Sequence, residues 1–242
     1  MAQSFEAWFQ SLGPIARYSL IVPCIIALAV SLQMASPMLF LLFWEKVTDE
    51  FEVWRLLTSF LFFGKFSFPF VMNLAMFVVY QRRHEEDFGA RMSDHIFMLL
   101  FLWVLYLPLS YLFSMLAPSF ALTMSLIWIW CKRHEEAMLS IYGFSFKAQY
   151  FPWVMILLHL VMGGSIADDI IGIIAGHVYF FLKDMLPLTN NVKLLETPRW
   201  LEQQFPNSTQ TVFGTHIPTQ RQTAPTAPRQ TWGTGRALGT GN

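Results

Sequence analysis

From residue 18 to residue 186 the chain is almost continuously apolar, broken only by short charged clusters. From residue 187 onward it turns polar and rich in Pro, Thr and Gln. A helix needs roughly 20 apolar residues to cross a bilayer. The pattern predicts spanning helices over 17–34, 67–81, 94–116, 119–130, 150–166 and 169–185. Several are short. A fifteen-residue helix rises only about 22 Å, against a hydrocarbon core of about 30 Å. Either these helices run past the apolar limits or the protein thins the bilayer around itself. The apolar run 37–44 is too short to span, and Glu45, Lys46, Asp49, Glu50 and Glu52 follow it closely. It reads as an interfacial hairpin between the first two spans.

Composition sharpens the class. The chain is 55% hydrophobic and 13% charged, more apolar surface than a soluble domain of 242 residues hides. Net charge is zero and no basic face exists for nucleic acid. Cys24 and Cys131 each stand alone in apolar runs and read as buried thiols. The first thirteen residues hold Glu6 and no Lys or Arg, so the first apolar run is expected to be a retained signal-anchor helix. Arg82, Arg83, Arg91, Lys132, Arg133, Lys147 and Lys183 fall on one side of the predicted spans. Lys46, Arg55 and Lys65 fall on the other. The bias predicts six spans with both termini in the cytosol. Residues 1–186 then form the membrane domain and 187–242 a disordered cytosolic tail. A sequon at Asn207-Ser208-Thr209 reports on that topology.

Candidate chemistry is sparse. Trp54-Arg55 stands at a membrane boundary, where Arg serves as an interfacial anchor or as a clasp that fixes the first loop. Asn73 lies among Phe, Val, Met and Leu, and a buried amide needs a partner from another helix or a role in lining a site. Arg83-His84-Glu85-Glu86 and Arg133-His134-Glu135-Glu136 are near-copies at two cytosolic helix ends. They lack metal-ligand spacing and read as solvated extensions that set membrane depth. Gly172 and Gly176, four apart, notch one helix face for close approach of another backbone. His177 beside them reads as a packed histidine or a general base. Asp168 and Asp169 need a helix end or a wet cavity. Ser125 is the serine offered by the fourth span, but its neighbours Met124 and Leu126 are bulky, and no Gly-x-Ser-x-Gly or Gly-x-Ser-Gly occurs. No cofactor is implied.

These residues together resemble the Derlin family, the inactive rhomboid-like proteins of the endoplasmic reticulum. The resemblance covers essentially the whole chain. It rests on Trp54-Arg55, Asn73, Tyr150-Phe-Pro-Trp153, Gly163-Gly164-Ser165, Gly172-x-x-x-Gly176-His177 and the C-terminal tip. It implies an all-α polytopic membrane protein, a six-helix rhomboid-like bundle with a disordered cytosolic tail. Active rhomboid proteases carry Gly-x-Ser-Gly in span four and a His three residues before the Gly-xxx-Gly of span six. Here that His position holds Asp169, so the resemblance implies no catalysis. Trp232, Gly233, Gly235, Arg236, Leu238 and Gly239 look like the linear motif by which Derlins bind the valosin-containing-protein AAA ATPase. Lone apolar anchors between glycines suit an extended peptide docking on a partner. The family further implies misfolded protein substrates, an endoplasmic-reticulum ubiquitin-ligase complex, lipid bilayer contact and self- or hetero-association. The expected role is retrotranslocation in endoplasmic-reticulum-associated degradation. A groove lined by Asn73, Asp168 and Asp169 would offer partners to polar backbone. The rival readings are an intramembrane protease using Ser125 with His177, and a channel or transporter.

Overall fold

The structure, a computed structural model, describes residues 5–89, 91–141, 144–187 and 195–205. Short α1 (Phe5–Gln10) leads into α2 (Pro14–Ser31), whose first turn accepts Pro14 because that N–H has no helical partner. After the first loop come α5 (Phe68–Phe88), α6 (Met92–Leu112), α7 (Ser119–Arg133), α8 (Phe151–Val161) and α9 (Ile166–Phe180), the last running on through a π-helical turn, Phe181–Met185. Serine caps start two of them. Ser67 Oγ accepts from the Phe70 N–H, and Ser165 Oγ from the Asp168 N–H. A helix therefore occupies each predicted span. α2 and α6 are long and apolar enough to cross a membrane by length and composition. α8, at 11 residues, rises about 16 Å.

α7 is the centre: eleven of its fifteen residues are buried. α9 packs along one face of α7 and α5 along another, and α2 closes on α5. Phe60, Phe63, Phe70, Phe77, Met98, Leu102, Met124 and Leu126 fill the space between them. The outward faces carry Ile25, Leu28, Val104, Leu112, Leu157, Leu160 and Ile174, all exposed. Buried polar groups and exposed apolar ones reverse the soluble pattern and suit a hydrocarbon surround.

Two expectations are corrected. The first loop is not a simple hairpin. It folds through a 3-10 turn at Pro37–Leu39, α3 (Trp44–Asp49), α4 (Arg55–Thr58) and a second 3-10 turn at Ser59–Leu61. The Leu42 N–H donates to the Leu116 carbonyl at 2.8 Å, Trp103 Nε1 to the Leu56 carbonyl at 2.7 Å, and Ser119 Oγ to the Phe62 carbonyl at 2.6 Å. A short apolar run without helix length must place its polar backbone groups somewhere, and this loop places them on α6, on α7, on the turn between them and on its own Arg55. The protein is mostly helical, consistent with the expected all-α fold, and among the described residues one short hairpin, β1 (Met138–Ile141) paired antiparallel with β2 (Phe144–Lys147), lies between α7 and α8. Second, part of the tail expected to be disordered is helical. α10 (Arg199–Gln204) docks beside α6 with Leu201 buried. The other candidate tail residues, including Trp232, Gly233, Gly235, Arg236, Leu238 and Gly239, lie outside the described residues.

Candidate functional site

Asn73 sits one turn into α5, His159 near the end of α8 and Asp169 in the first turn of α9, so three helix ends bring them together. His159 Nε2 lies 2.7 Å from Asn73 Oδ1, and Nδ1 lies 2.7 Å from Asp169 Oδ1. All three side chains are buried. Asn73 Nδ2 donates to the Pro69 carbonyl at 2.9 Å, which leaves only its oxygen to face the imidazole. His159 Nε2 therefore carries a hydrogen. On the other side one proton is shared between Nδ1 and a carboxyl oxygen, so the pair is neutral as a unit whichever atom holds it. Asp169 Oδ2 is buried without a partner among the described residues. The groove expected from Asn73, Asp168 and Asp169 thus takes another form. Asn73 and Asp169 are knotted through a histidine, and half-buried Asp168 stands apart, its amide held by Ser165.

One turn further along, Gly172 and Gly176 lie against α7. A Cβ at Gly172 would stand 2.6 Å from the Ala121 carbonyl oxygen and 2.7 Å from Met124 Cβ. One at Gly176 would stand 2.9 Å from the Ser125 carbonyl oxygen. This is the backbone approach that the four-residue spacing predicts. Ser125 Oγ donates to the Gly172 carbonyl at 2.6 Å and shares a 2.6 Å contact with the Tyr106 hydroxyl, which also reaches the Ala121 carbonyl at 2.8 Å. Ser125 is 0% exposed. His177 is on the exposed side of α9, its ring edge-on to Trp128. The two residues of the protease reading face different directions, and the hydroxyl is bound where a nucleophile must be open.

Arg55 is buried. Its Nη1 donates to the Met38 and Leu41 carbonyls, the latter at 2.8 Å, and its guanidinium pairs with Glu52 and lies over the Phe43 ring. Of the two readings of this Arg, the geometry is that of a clasp. Trp54 beside it is exposed. A cavity of about 530 Å³ opens under this loop, lined by Leu56, Phe60, Phe77, Gln81, Leu99 and Trp103.

At the opposite end of α5 the first Arg-His-Glu-Glu copy is not the solvated extension its charge suggests. Glu85 caps α2, accepting from the Ile15 N–H at 2.7 Å and the Ala16 N–H at 3.3 Å. Burial pushes the Glu85 carboxyl up, against the pull of those two donors. His84 is fully buried, with Nε2 3.0 Å from the Leu126 carbonyl. Arg83 lies over the Trp130 ring. The second copy is partly solvated, with Arg133 paired to Asp184 at 2.9 Å.

The family model of the Der1-like family matches residues 12–199, which contain Asn73, His159, Asp169, Gly172, Ser125, Arg55 and Glu85. The chain belongs to that family. Among its relatives, a probable derlin-2 homolog of Dictyostelium discoideum is 33% identical over 84% of this chain and 83% of its own. Derlin-1 of Bos taurus is 31% identical over 96% of this chain and 97% of its own, and Derlin-1.2 of Zea mays 32% over 81% and 82%. In this Der1-like chain the sequence reading found Asn73, Asp169, Gly172, Gly176 and Arg55 but not His159, Tyr106 or Glu85 as partners. The signal for His159 was present: it is a lone imidazole in an apolar run, as Asn73 is a lone amide in another, and each needs a complement.

Proposed function

We propose that this Der1-like chain is a non-catalytic, multi-pass protein of the endoplasmic-reticulum membrane that assists retrotranslocation of misfolded proteins for degradation. The observation that carries the reading is Ser125, buried and hydrogen-bonded to Tyr106 and the Gly172 carbonyl, with no histidine bonded to it among the described residues. With Asp169 at the position of the catalytic histidine of active rhomboid proteases, the body keeps a rhomboid-like frame without a dyad. α2, α5, α6, α7, α8 and α9 span the membrane, with both termini in the cytosol. The short α7, α8 and α9 thin the bilayer and lower the barrier to a polar segment. When α8 parts from α5, Asn73 and His159 lose each other and offer hydrogen bonds to a passing backbone. The tail, through Trp232 to Gly239, recruits the valosin-containing-protein AAA ATPase, and its length raises the local motor concentration. Ligase partners and association with further copies belong to the same reading.

The test is rescue of degradation of a misfolded lumenal protein in cells lacking the chain. Ser125→Ala should rescue as well as wild type, while Trp232→Ala/Leu238→Ala should insert normally and fail to rescue. Loss of rescue by Ser125→Ala, with a fluorophosphonate probe labelling only wild type, would establish a protease instead. Full rescue by the tail variant would remove the motor from the mechanism.

A further inference from the structure

The ordered segment beyond the bundle holds a hydroxyl that the function above does not use. Thr197 Oγ1 donates to the Asp94 carboxylate at the start of α6. Lys183 Nζ donates to the Leu195 carbonyl at 3.0 Å, and Leu201 of α10 is buried, so residues 195–205 form a strap fastened across one end of the bundle. A cavity of about 410 Å³ runs beside it, lined by Asp94, Lys183, Glu196, Thr197, Arg199 and Glu202.

Thr197 is followed by Pro198, and Thr197-Pro198 is the one Thr-Pro pair in the sequence. The single Ser-Pro pair, Ser36-Pro37, lies at the opposite end of the bundle. A residue before proline is held extended, and proline needs no donor on its nitrogen. That is the backbone a proline-directed protein kinase accepts. We infer that Thr197 is a phosphorylation site and that its modification releases the 195–205 strap, lengthening the tether to the tail.

The chemistry is a phosphoryl transfer. A kinase supplies ATP, the Thr197 O–H loses its proton to the kinase's base, the new P–O bond forms at Oγ1, and ADP leaves. The hydrogen that held Asp94 is then gone, and an ester bearing a charge of about −1.5 to −2 faces a carboxylate. The other charges around the pocket do not decide the matter. Lys183, Arg199 and Arg91, which pairs with Asp94 at 3.4 Å, are matched by Asp94, Glu196 and Glu202. The nearest group decides, and it is Asp94. The hydroxyl is occupied while the strap is docked, so the kinase captures the opened strap and phosphorylation traps it open.

This inference rests on the proposed orientation only in placing this end of the bundle in the cytosol, where ATP and kinases are. The experiment uses purified full-length chain in detergent with a proline-directed kinase and ATP, which removes the dependence on orientation. Peptide mapping reads the modified residue. Hydrogen exchange reads the Leu201, Glu202 and Phe205 amides, which donate to the carbonyls of Pro198 and Leu201. Phosphorylation should appear at Thr197 and accelerate those amides by about tenfold or more, the scale of one unit-charge repulsion near a surface. In Asp94→Asn the acceleration should fall below about threefold, since the carboxylate charge is gone. No incorporation at Thr197 would overturn the proposal. So would slower or unchanged exchange on phosphorylation, which would mean that Lys183 and Arg199 clamp the phosphate. Equal acceleration in Asp94→Asn would overturn the repulsion. Glycosylation at Asn207 in cells would count against the orientation alone.

Discussion

Replacing His159 by Leu removes the hub of the buried network at the α5, α8 and α9 ends. Asp169 is 0% exposed, and its Oδ1 has the imidazole as its partner while Oδ2 has none among the described residues. The variant leaves a carboxyl wholly without donors and strips Asn73 Oδ1 of its partner as well. Breaking a buried pair from one side costs about 3–5 kcal/mol. For a domain of this size that is a fall of about 6–20 °C in Tm. Adding Asp169→Leu removes the stranded carboxyl. Only the Asn73 oxygen is then unsatisfied, at about 1–3 kcal/mol. The double variant should therefore be more stable than His159→Leu alone, although it carries one more substitution. Asp169→Asn should cost less than about 1 kcal/mol, because an amide N–H can donate to Nδ1 of a neutral imidazole whose Nε2–H still serves Asn73. Thermal unfolding of the four proteins in one detergent gives the ranking. A double variant at least about 1 kcal/mol less stable than His159→Leu would refute the paired-proton reading.

Three other perturbations follow from the same geometry. Gly172→Ala should cost about 1–3 kcal/mol in thermal unfolding, since its Cβ would meet the Ala121 carbonyl oxygen at 2.6 Å and α7 must give way. Arg55→Lys should cost about 1.5–3 kcal/mol and open the 37–61 loop to protease. A point-like ammonium cannot serve the Met38 and Leu41 carbonyls and Glu52 together. In cells the Asn207 sequon should stay unmodified, read as no shift on endoglycosidase treatment, and a glycosylated product would reverse the orientation.

The helices were legible because apolar runs of 11–21 residues have few other ways to satisfy their backbone. Their ends were less so. α8 stops at Val161 because Gly163 turns with φ +79° and the Gly164 N–H closes on the His159 carbonyl, while the apolar run itself continues to Ile166. The close packing of α9 on α7 could be read from Gly172 and Gly176, since small residues four apart are a local signal. The partners of Asn73 could not. His159 lies 86 positions away, and a helix apolar on every side gives no moment to say which face is inward. The same limit hid Tyr106 behind Ser125. Glu85 was misread for the opposite reason. A charged cluster reads as solvated, yet here the carboxylate answers the unpaired N–H groups at the start of α2.

The two long contacts of the central region differ in kind. α9 is set into α7 backbone to backbone at Gly172 and Gly176, with Ser125 bonded across the gap, so separating them strands buried polar groups on both sides. α8 reaches α5 through side chains, the His159–Asn73 hydrogen bond at one end and the Tyr80–Phe151 ring stack, 5.6 Å between centroids, at the other. Parting α8 from α5 costs one neutral hydrogen bond, about 0.5–1.5 kcal/mol, and one ring pair, about 0.5–1.5 kcal/mol, beyond the apolar area exposed. His159 keeps Asp169 throughout, so no uncompensated charge appears on that path. Under the proposed function, the body is thus expected to yield along α5 and α8. Cross-linking tests this directly: a disulfide engineered between the Tyr80 and Phe151 positions should block substrate passage in its oxidised form and permit it once reduced, and passage through the oxidised variant would place the yielding seam elsewhere.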